Sequence, residues 1–228
     1  FLFAATTLAA GCATRPVNPP IAHHDADKAY RIERRSANAE DNATLVVLAF
    51  SGGGTRAAAF SYGVLETLRD MQVTTKSGRE VRVLDTVDVI TGISGGSFTA
   101  LAFGLHGEKL FDIYEASFLK RNVQGELVKR ALDPFNWPAL ASHGWGRSEL
   151  AANMYDELLF NGATFNDLKR DGPRILVSAT DLADGTRLIF NSDNFDVLCT
   201  DLSTVRLARA AAASSAVPVV LSSITIDN

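Results

Sequence analysis

The chain has 228 residues, with 22 Lys and Arg against 26 Asp and Glu for a formal charge of −4, and 46% of its residues are hydrophobic. That length and balance describe one globular α/β domain or two small ones, large enough to bury a core without covalent staples, and they exclude the disordered and fibrous classes. The mild acidity argues against nucleic acid as a partner, since phosphate binding needs a basic face, and no run of about 18 apolar residues is present to form a membrane-spanning helix.

Residues 1–12 read FLFAATTLAAGC. Phe1 to Ala10 is uncharged, mostly apolar and about the length of a signal-peptide core, too short to cross a bilayer. Small residues and then Cys12 follow, which resembles the end of a bacterial lipoprotein signal peptide cleaved before an acylated Cys. The usual Leu three places before the Cys is replaced by Ala9, with Leu8 one step further out. Such a lipid anchor implies an exported protein held at a membrane surface, periplasmic or on the outer membrane. Residues 13–44 hold three of the seven prolines and no hydrophobic periodicity, so they read as a flexible tether, with His23 and His24 solvated within it.

The domain proper is expected over residues 45–228. Leu45–Phe50 (LVVLAF) is a continuous apolar run ending at Ser51-Gly52-Gly53-Gly54, the pattern of a buried strand entering a glycine-rich turn. A helix is expected over 57–70, with Phe60, Val64, Leu65 and Leu68 on its apolar face. A polar excursion occupies 71–84. A second strand, Asp88–Thr91, ends at Gly92-Ile93-Ser94-Gly95-Gly96 and leads into a helix over 97–105. Helical periodicity runs through 109–132 until Pro134 and Pro138 break it. A further helix, Ser148–Phe160, starts on a Ser cap and closes at Asn161-Gly162. Strands follow at Arg174–Ala179 and Arg187–Phe190, joined by a turn at Asp184-Gly185. An Ala-rich helix over 204–216 stops at Pro218, and Val219–Ile226 reads as a last strand. Strands alternating with helices predict a mostly parallel sheet covered on both faces. The chain starts at Phe rather than Met and stops just after a strand-like run, so it reads as a fragment truncated at its C-terminus.

The two glycine turns carry the chemistry. Gly92-Ile93-Ser94-Gly95-Gly96 fits G-x-S-x-G, which sets a Ser on a sharp strand-to-helix turn at the positive end of a helix. Gly52-Gly53-Gly54-Thr55-Arg56-Ala57 has two readings. Its adjacent N–H groups suit an oxyanion hole. It also fits G-x-G-x-x-A, a dinucleotide fingerprint, with Asp85 or Asp88 as the acid on the next strand. That would make an oxidoreductase, and it leaves the second turn unexplained.

Together the segments SGGGTRAAAFSYGVLETL at 51–68, TGISGGSFTA at 91–100, ATDLADG at 179–185 and RAAAASSAVPVVLS at 209–222 resemble the patatin-like phospholipase family, in family order. The resemblance implies a three-layer α/β/α fold and a Ser–Asp dyad that hydrolyses lipid acyl esters, in the manner of a phospholipase A or lysophospholipase, with no cofactor and no metal. Ser94 matches the nucleophile; Gly52, Gly53 and Gly54 match the oxyanion loop and Arg56 its basic position; Gly92, Gly95 and Gly96 form the elbow. The family's Asp lies in an Asp-Gly-Gly or Asp-Gly-Ala motif downstream of the segment matching 209–222, so it is expected beyond Asn228. Asp184 is the nearest by sequence, but its place between two strand-like runs suits a hairpin turn; Asp227 precedes Asn, and Asp181 reads as structural. A Ser–His–Asp order fails because no His follows His143, and His106 reads as a helix-end residue. A catalytically degenerate relative that binds lipid or protein is the alternative reading. Phe111, Tyr114, Phe118, Phe135, Trp137 and Trp145 form either a lipid-facing cap or ordinary core, and Cys199 is expected as a buried free thiol.

Overall fold

The computed structural model describes residues 16–21, 44–75, 78–141, 145–217 and 221–226. The proposed signal end, Cys12, His23, His24, His143, Pro218 and Asp227 lie outside the described residues. The central sheet has the order β1-β4-β5-β6. Strand β1 (Val47–Phe50) runs parallel to β4 (Val89–Gly92), pairing Phe50 with Gly92. Strand β4 runs parallel to β5 (Arg174–Thr180), and β5 pairs antiparallel with β6 (Arg187–Ile189). The polar excursion is a small antiparallel hairpin, β2 (Gln72–Thr74) with β3 (Glu80–Arg82). The expected α/β class and mostly parallel sheet are therefore found.

One face of the sheet is dry. Phe50, Ile90, Gly92, Ile175 and Val177 share it through the parallel register and are all buried. Helix α2 (Gly95–His106) covers that face, and its first ten residues are all buried. A helix apolar on every side is what such a position requires. On the opposite face Val47, Ala49, Thr91 and Leu176 are half-exposed or exposed, whereas Val89 and Ser178 are buried.

Helix α1 (Gly54–Asp70) packs on α2. Its buried residues are Ala58, Ser61, Tyr62 and Leu65, and Phe60 is 76% exposed. The expected face was therefore wrong for Phe60, with Val64 and Leu68 only partly buried. The physical reason is distance: α1 must lie close to α2, and small residues permit it. Thr99 of α2 donates its hydroxyl to the Ala58 carbonyl at 2.9 Å across this contact.

The helical stretch after α2 contains α3 (Leu110–Tyr114), a π-turn at Glu115–Leu119, α4 (Val123–Leu132) and, after Pro134, the short α5 (Trp137–Leu140). The aromatic set divides between the two readings. Tyr114 and Phe118 are core, whereas Phe135 is 93% and Trp137 56% exposed. Helix α6 (Arg147–Tyr155) ends in a π-turn at Asp156–Phe160, and Asn161 takes the left-handed stop. Its cap position is Gly146; Ser148 lies inside the helix, buried, and donates its hydroxyl to the Ser222 carbonyl. After β6 come α7 (Ser192–Val197) and α8 (Leu207–Ser214).

Three further expectations are corrected. Residues 221–226 form no strand; they are an irregular segment held by Ser148 and Arg209. Cys199 is exposed, in a left-handed turn with φ 54°. His106 is the last residue of α2, at the helix end as expected, and its ring is tied to the Leu159 carbonyl at 2.8 Å. Residues 16–21, within the segment read as a tether, lie against residues 199–201, with Ile21 N–H donating to the Cys199 carbonyl and Asp201 N–H to that of Pro19, both at 3.1 Å.

Candidate active site

The two glycine turns meet at the C-terminal ends of β1 and β4, where parallel strands deliver their following loops to one edge. Ser94 stands between β4 and α2 with φ 51° and ψ −119°, a conformation rare for any residue but Gly. It is the residue that caps α2, yet its hydroxyl makes no capping bond. The Ser97 hydroxyl donates to the Ser94 carbonyl at 2.6 Å. The Ser94 side chain is thus left half-exposed at the positive end of a helix with no acidic residue in its first turn.

The elbow glycines are dictated by contact. A Cβ on Gly92 would lie 2.7 Å from the Gly96 carbonyl oxygen, and one on Gly96 would lie 2.6 Å from the Phe50 Cβ. Both distances are shorter than folded proteins tolerate, so α2 can start directly on top of β1 only with glycine at these places.

The first turn wraps against the second. A Cβ built on Gly52 would sit 3.3 Å from the Ser94 Cβ and 3.9 Å from its Oγ. Gly53 and Gly54 have φ 142° and 64°, which bends the chain back into α1. Among the described residues, no acceptor takes the N–H of Gly52 or Gly53. Such N–H groups beside a hydroxyl form an anion-binding concavity. Arg56 is exposed in the first turn of α1.

The carboxylates near this region have other work. Asp184 accepts from the Thr186 N–H at 2.9 Å and the Thr186 hydroxyl at 2.7 Å within the β5–β6 turn, and these bonds hold its carboxyl below the usual range. Asp181 accepts from the Ala183 N–H at 2.8 Å in the same turn. Among the described residues, no carboxylate hydrogen-bonds the Ser94 hydroxyl. Asp85 pairs with Arg82, and Asp88 accepts the Val46 N–H at 2.9 Å. Both precede β4, at the end away from the glycine turns, so neither can serve as the ribose acid of a dinucleotide site. No group of three or more metal-ligating side chains occurs among the described residues, and no described helix is long and apolar enough to cross a membrane.

Sequence reasoning missed Ser214. Its hydroxyl accepts the Ser94 N–H at 2.8 Å and donates to the Ser178 carbonyl at 2.7 Å. The only signal was a polar Ser-Ser pair closing an Ala-rich helix. It also missed the Arg209–Glu149 pair, buried to 4% and 7% side-chain exposure, because no spacing links residues 60 positions apart.

No curated protein matches the sequence. Among solved structures, a human GIVD cytosolic phospholipase A2, determined with methyl γ-linolenyl fluorophosphonate and terbium chloride, shares 18% identity and a TM-score of 0.42. The alignment covers 75% of this chain and 30% of that one, so the chain spans about a third of that protein's length. The family profile described as patatin-like phospholipase matches residues 48–228, which take in both glycine turns, β4, β5 and α8. The chain belongs to the patatin-like phospholipase family, a family of lipid hydrolases.

Proposed function

We propose that the protein is a lipid acyl hydrolase of phospholipase A or lysophospholipase type, with Ser94 as nucleophile. The observation that carries this reading is the strained Ser94, its hydroxyl unused in capping, packed against a glycine loop whose Gly52 and Gly53 N–H groups meet no acceptor among the described residues. In this mechanism the Ser94 Oγ attacks the acyl carbonyl carbon and its proton passes to a carboxylate base. The oxyanion is received by the N–H groups of Gly52, Gly53 and Gly54, with Arg56 adding positive charge. Each such donor is typically worth about 3–4 kcal/mol in the transition state. The tetrahedral adduct expels the alcohol, which takes the proton, and water then cleaves the acyl-enzyme by the same route reversed. The base is assigned to an Asp in an Asp-Gly-Gly or Asp-Gly-Ala motif, following the family resemblance, because Asp184 is engaged in its own turn.

The test uses the complete protein with a fluorophosphonate probe and a phospholipid micelle. Ser94 should be labelled, and Ser94→Ala should remove labelling and hydrolysis together. Asp184→Asn should leave both intact. Labelling that survives Ser94→Ala moves the nucleophile elsewhere. A protein that binds micelles yet neither labels nor hydrolyses fits the degenerate, lipid-binding alternative instead.

The exported, lipid-anchored state is a second proposal, supported by the FLFAATTLAAGC pattern alone. Radiolabelled palmitate should enter the complete protein and be lost in Cys12→Ser, and stable anchoring would require more than one acyl chain. Label retained in Cys12→Ser removes this proposal without touching the site.

A further inference from the structure

Ser94 keeps φ 51° without the freedom of glycine. Residues in such regions persist only where their surroundings over-determine them. The Ser94 carbonyl is held from α2, by the Ser97 hydroxyl at 2.6 Å and the Ser97 N–H at 3.0 Å. The Ile93 N–H is held from β1 by the Phe50 carbonyl at 3.1 Å. The 93–94 peptide itself is held on both sides: its Ile93 carbonyl accepts the Gly96 N–H at 3.0 Å, and its Ser94 N–H goes to a side chain 120 positions away, the Ser214 hydroxyl.

The polarity of that link is fixed. The Ser178 carbonyl can only accept, so the Ser214 hydroxyl hydrogen points to β5, 2.7 Å away. Its lone pair is then free for the Ser94 N–H at 2.8 Å. One hydroxyl therefore joins the last residue of α8, a carbonyl of β5 and the peptide that sets the Ser94 φ. An apolar replacement would leave both a donor and an acceptor unpaired in a partly buried place.

We propose that Ser214 is a positioning residue for the nucleophile: it holds the 93–94 peptide in the orientation that aims the Ser94 hydroxyl past Gly52 and commits the Ser94 N–H elsewhere, leaving the oxyanion to the Gly52–Gly54 loop. This rests on Ser94 being the nucleophile. Ser214 touches no substrate in this scheme. Its loss slows attack without changing how lipid or probe binds.

The experiment compares Ser214→Thr with Ser214→Val in the complete protein. The two have nearly the same shape, and only Thr keeps the hydroxyl. Fluorophosphonate labelling is followed at rising probe concentration, separating limiting rate from half-saturation. Thr should react near the wild-type rate. Val should have a limiting rate lower by about 10²-fold, the scale of a misaimed reacting group, with half-saturation unchanged. Ser215→Ala is the control: that hydroxyl donates to the Ala211 carbonyl at 2.8 Å and meets the Tyr155 phenol, away from the 93–94 peptide, and its rate should stay at wild type. Equal limiting rates for Thr and Val, with Ser94 still labelled, overturn the proposal and leave the nucleophile standing. Labelling that persists in Ser94→Ala instead overturns the nucleophile. If Val does not fold, amide exchange at Ser94 in the wild-type protein decides the matter. Strong protection supports the link, and exchange at the rate of an open peptide refutes it.

Discussion

Gly95, the first residue of α2, faces Gly54, the first residue of α1, so closely that a Cβ on Gly95 would overlap the Gly54 carbonyl group. Two helix starts are thereby locked together, backbone against backbone. Each helix presents its positive end at this junction, and the Ser94 hydroxyl lies beside it. Gly95 stands at the variable x position of the G-x-S-x-G turn, so a third glycine beyond the two that the pattern demands is what admits the Gly52–Gly54 loop to contact distance.

The first prediction concerns that contact. Gly95→Ala cannot be absorbed by a rotamer change, because the opposing atoms are backbone. The loop must move away from Ser94, and the fold should lose about 1–3 kcal/mol, as overpacked cores do. Thermal melting and probe labelling should both fall. Gly63→Ala, in the same α1 helix but with nothing within 4 Å of its Cβ, should be neutral or slightly stabilising.

A second prediction concerns the buried ion pair. One guanidinium nitrogen of Arg209, Nη1, reaches both Glu149 carboxylate oxygens at 2.6 Å, and Nη2 donates to the Thr225 carbonyl at 2.7 Å. It joins α8, α6 and the 221–226 segment. Glu149→Ala would strand a buried cation, at a cost of about 3–5 kcal/mol. Replacing both partners with Met should recover much of that loss. Chemical denaturation of the two single variants and the double variant measures the coupling.

The glycine turns were legible because contact there depends on residues adjacent in sequence: an apolar strand, then glycines, then a helix. The same holds for β5, β6 and the Asp184-Gly185 turn. What stayed hidden depends on partners distant in the chain. The α1 pattern carries two overlapping apolar faces, the expected one through Phe60, Val64, Leu65 and Leu68 and the observed one through Ala58, Tyr62 and Leu65. Only the need to approach α2 selects the second. Ser148 looks like a helix cap until Ser222 claims its hydroxyl. Ser214 looks like helix-end polarity until Ser94 and Ser178 are seen on either side of it.

The rotation of α1 that buries Leu65 and exposes Phe60 gives a third prediction. Leu65 is fully buried and Phe60 is 76% exposed. Leu65→Ala should cost about 2–5 kcal/mol by the usual scale of core truncation. Phe60→Ser should stay within about 0.5 kcal/mol, as surface changes do. Equal losses at the two positions would mean that α1 is rotated about its axis from the orientation described, which urea denaturation of the two variants would reveal.

The last prediction is a loss of stability in alkali. Burial pushes the Tyr62 phenol up to about 12, with the Glu66 carboxylate adding to it and Arg69 opposing. Burial also raises Tyr114, which is fully enclosed, and Tyr155. In the unfolded chain these phenols ionise near pH 10. Below that, both states hold the proton and the contribution to stability is constant. Above it, the unfolded chain releases protons that the folded chain keeps, so stability falls as pH rises and the Tyr62 contribution is exhausted near pH 12. Absorbance at 295 nm should show these tyrosines ionising late, together with loss of helical circular dichroism. Tyr114→Phe is the discriminating variant. Thr99 retains its bond to the Ala58 carbonyl without the phenol, so the fold should survive at neutral pH, and its unfolding free energy should decline less steeply above pH 10 than that of the wild type. An unchanged slope would mean that Tyr114 ionises in the folded state as readily as in the unfolded one, which its burial between α1, α2 and the π-turn forbids.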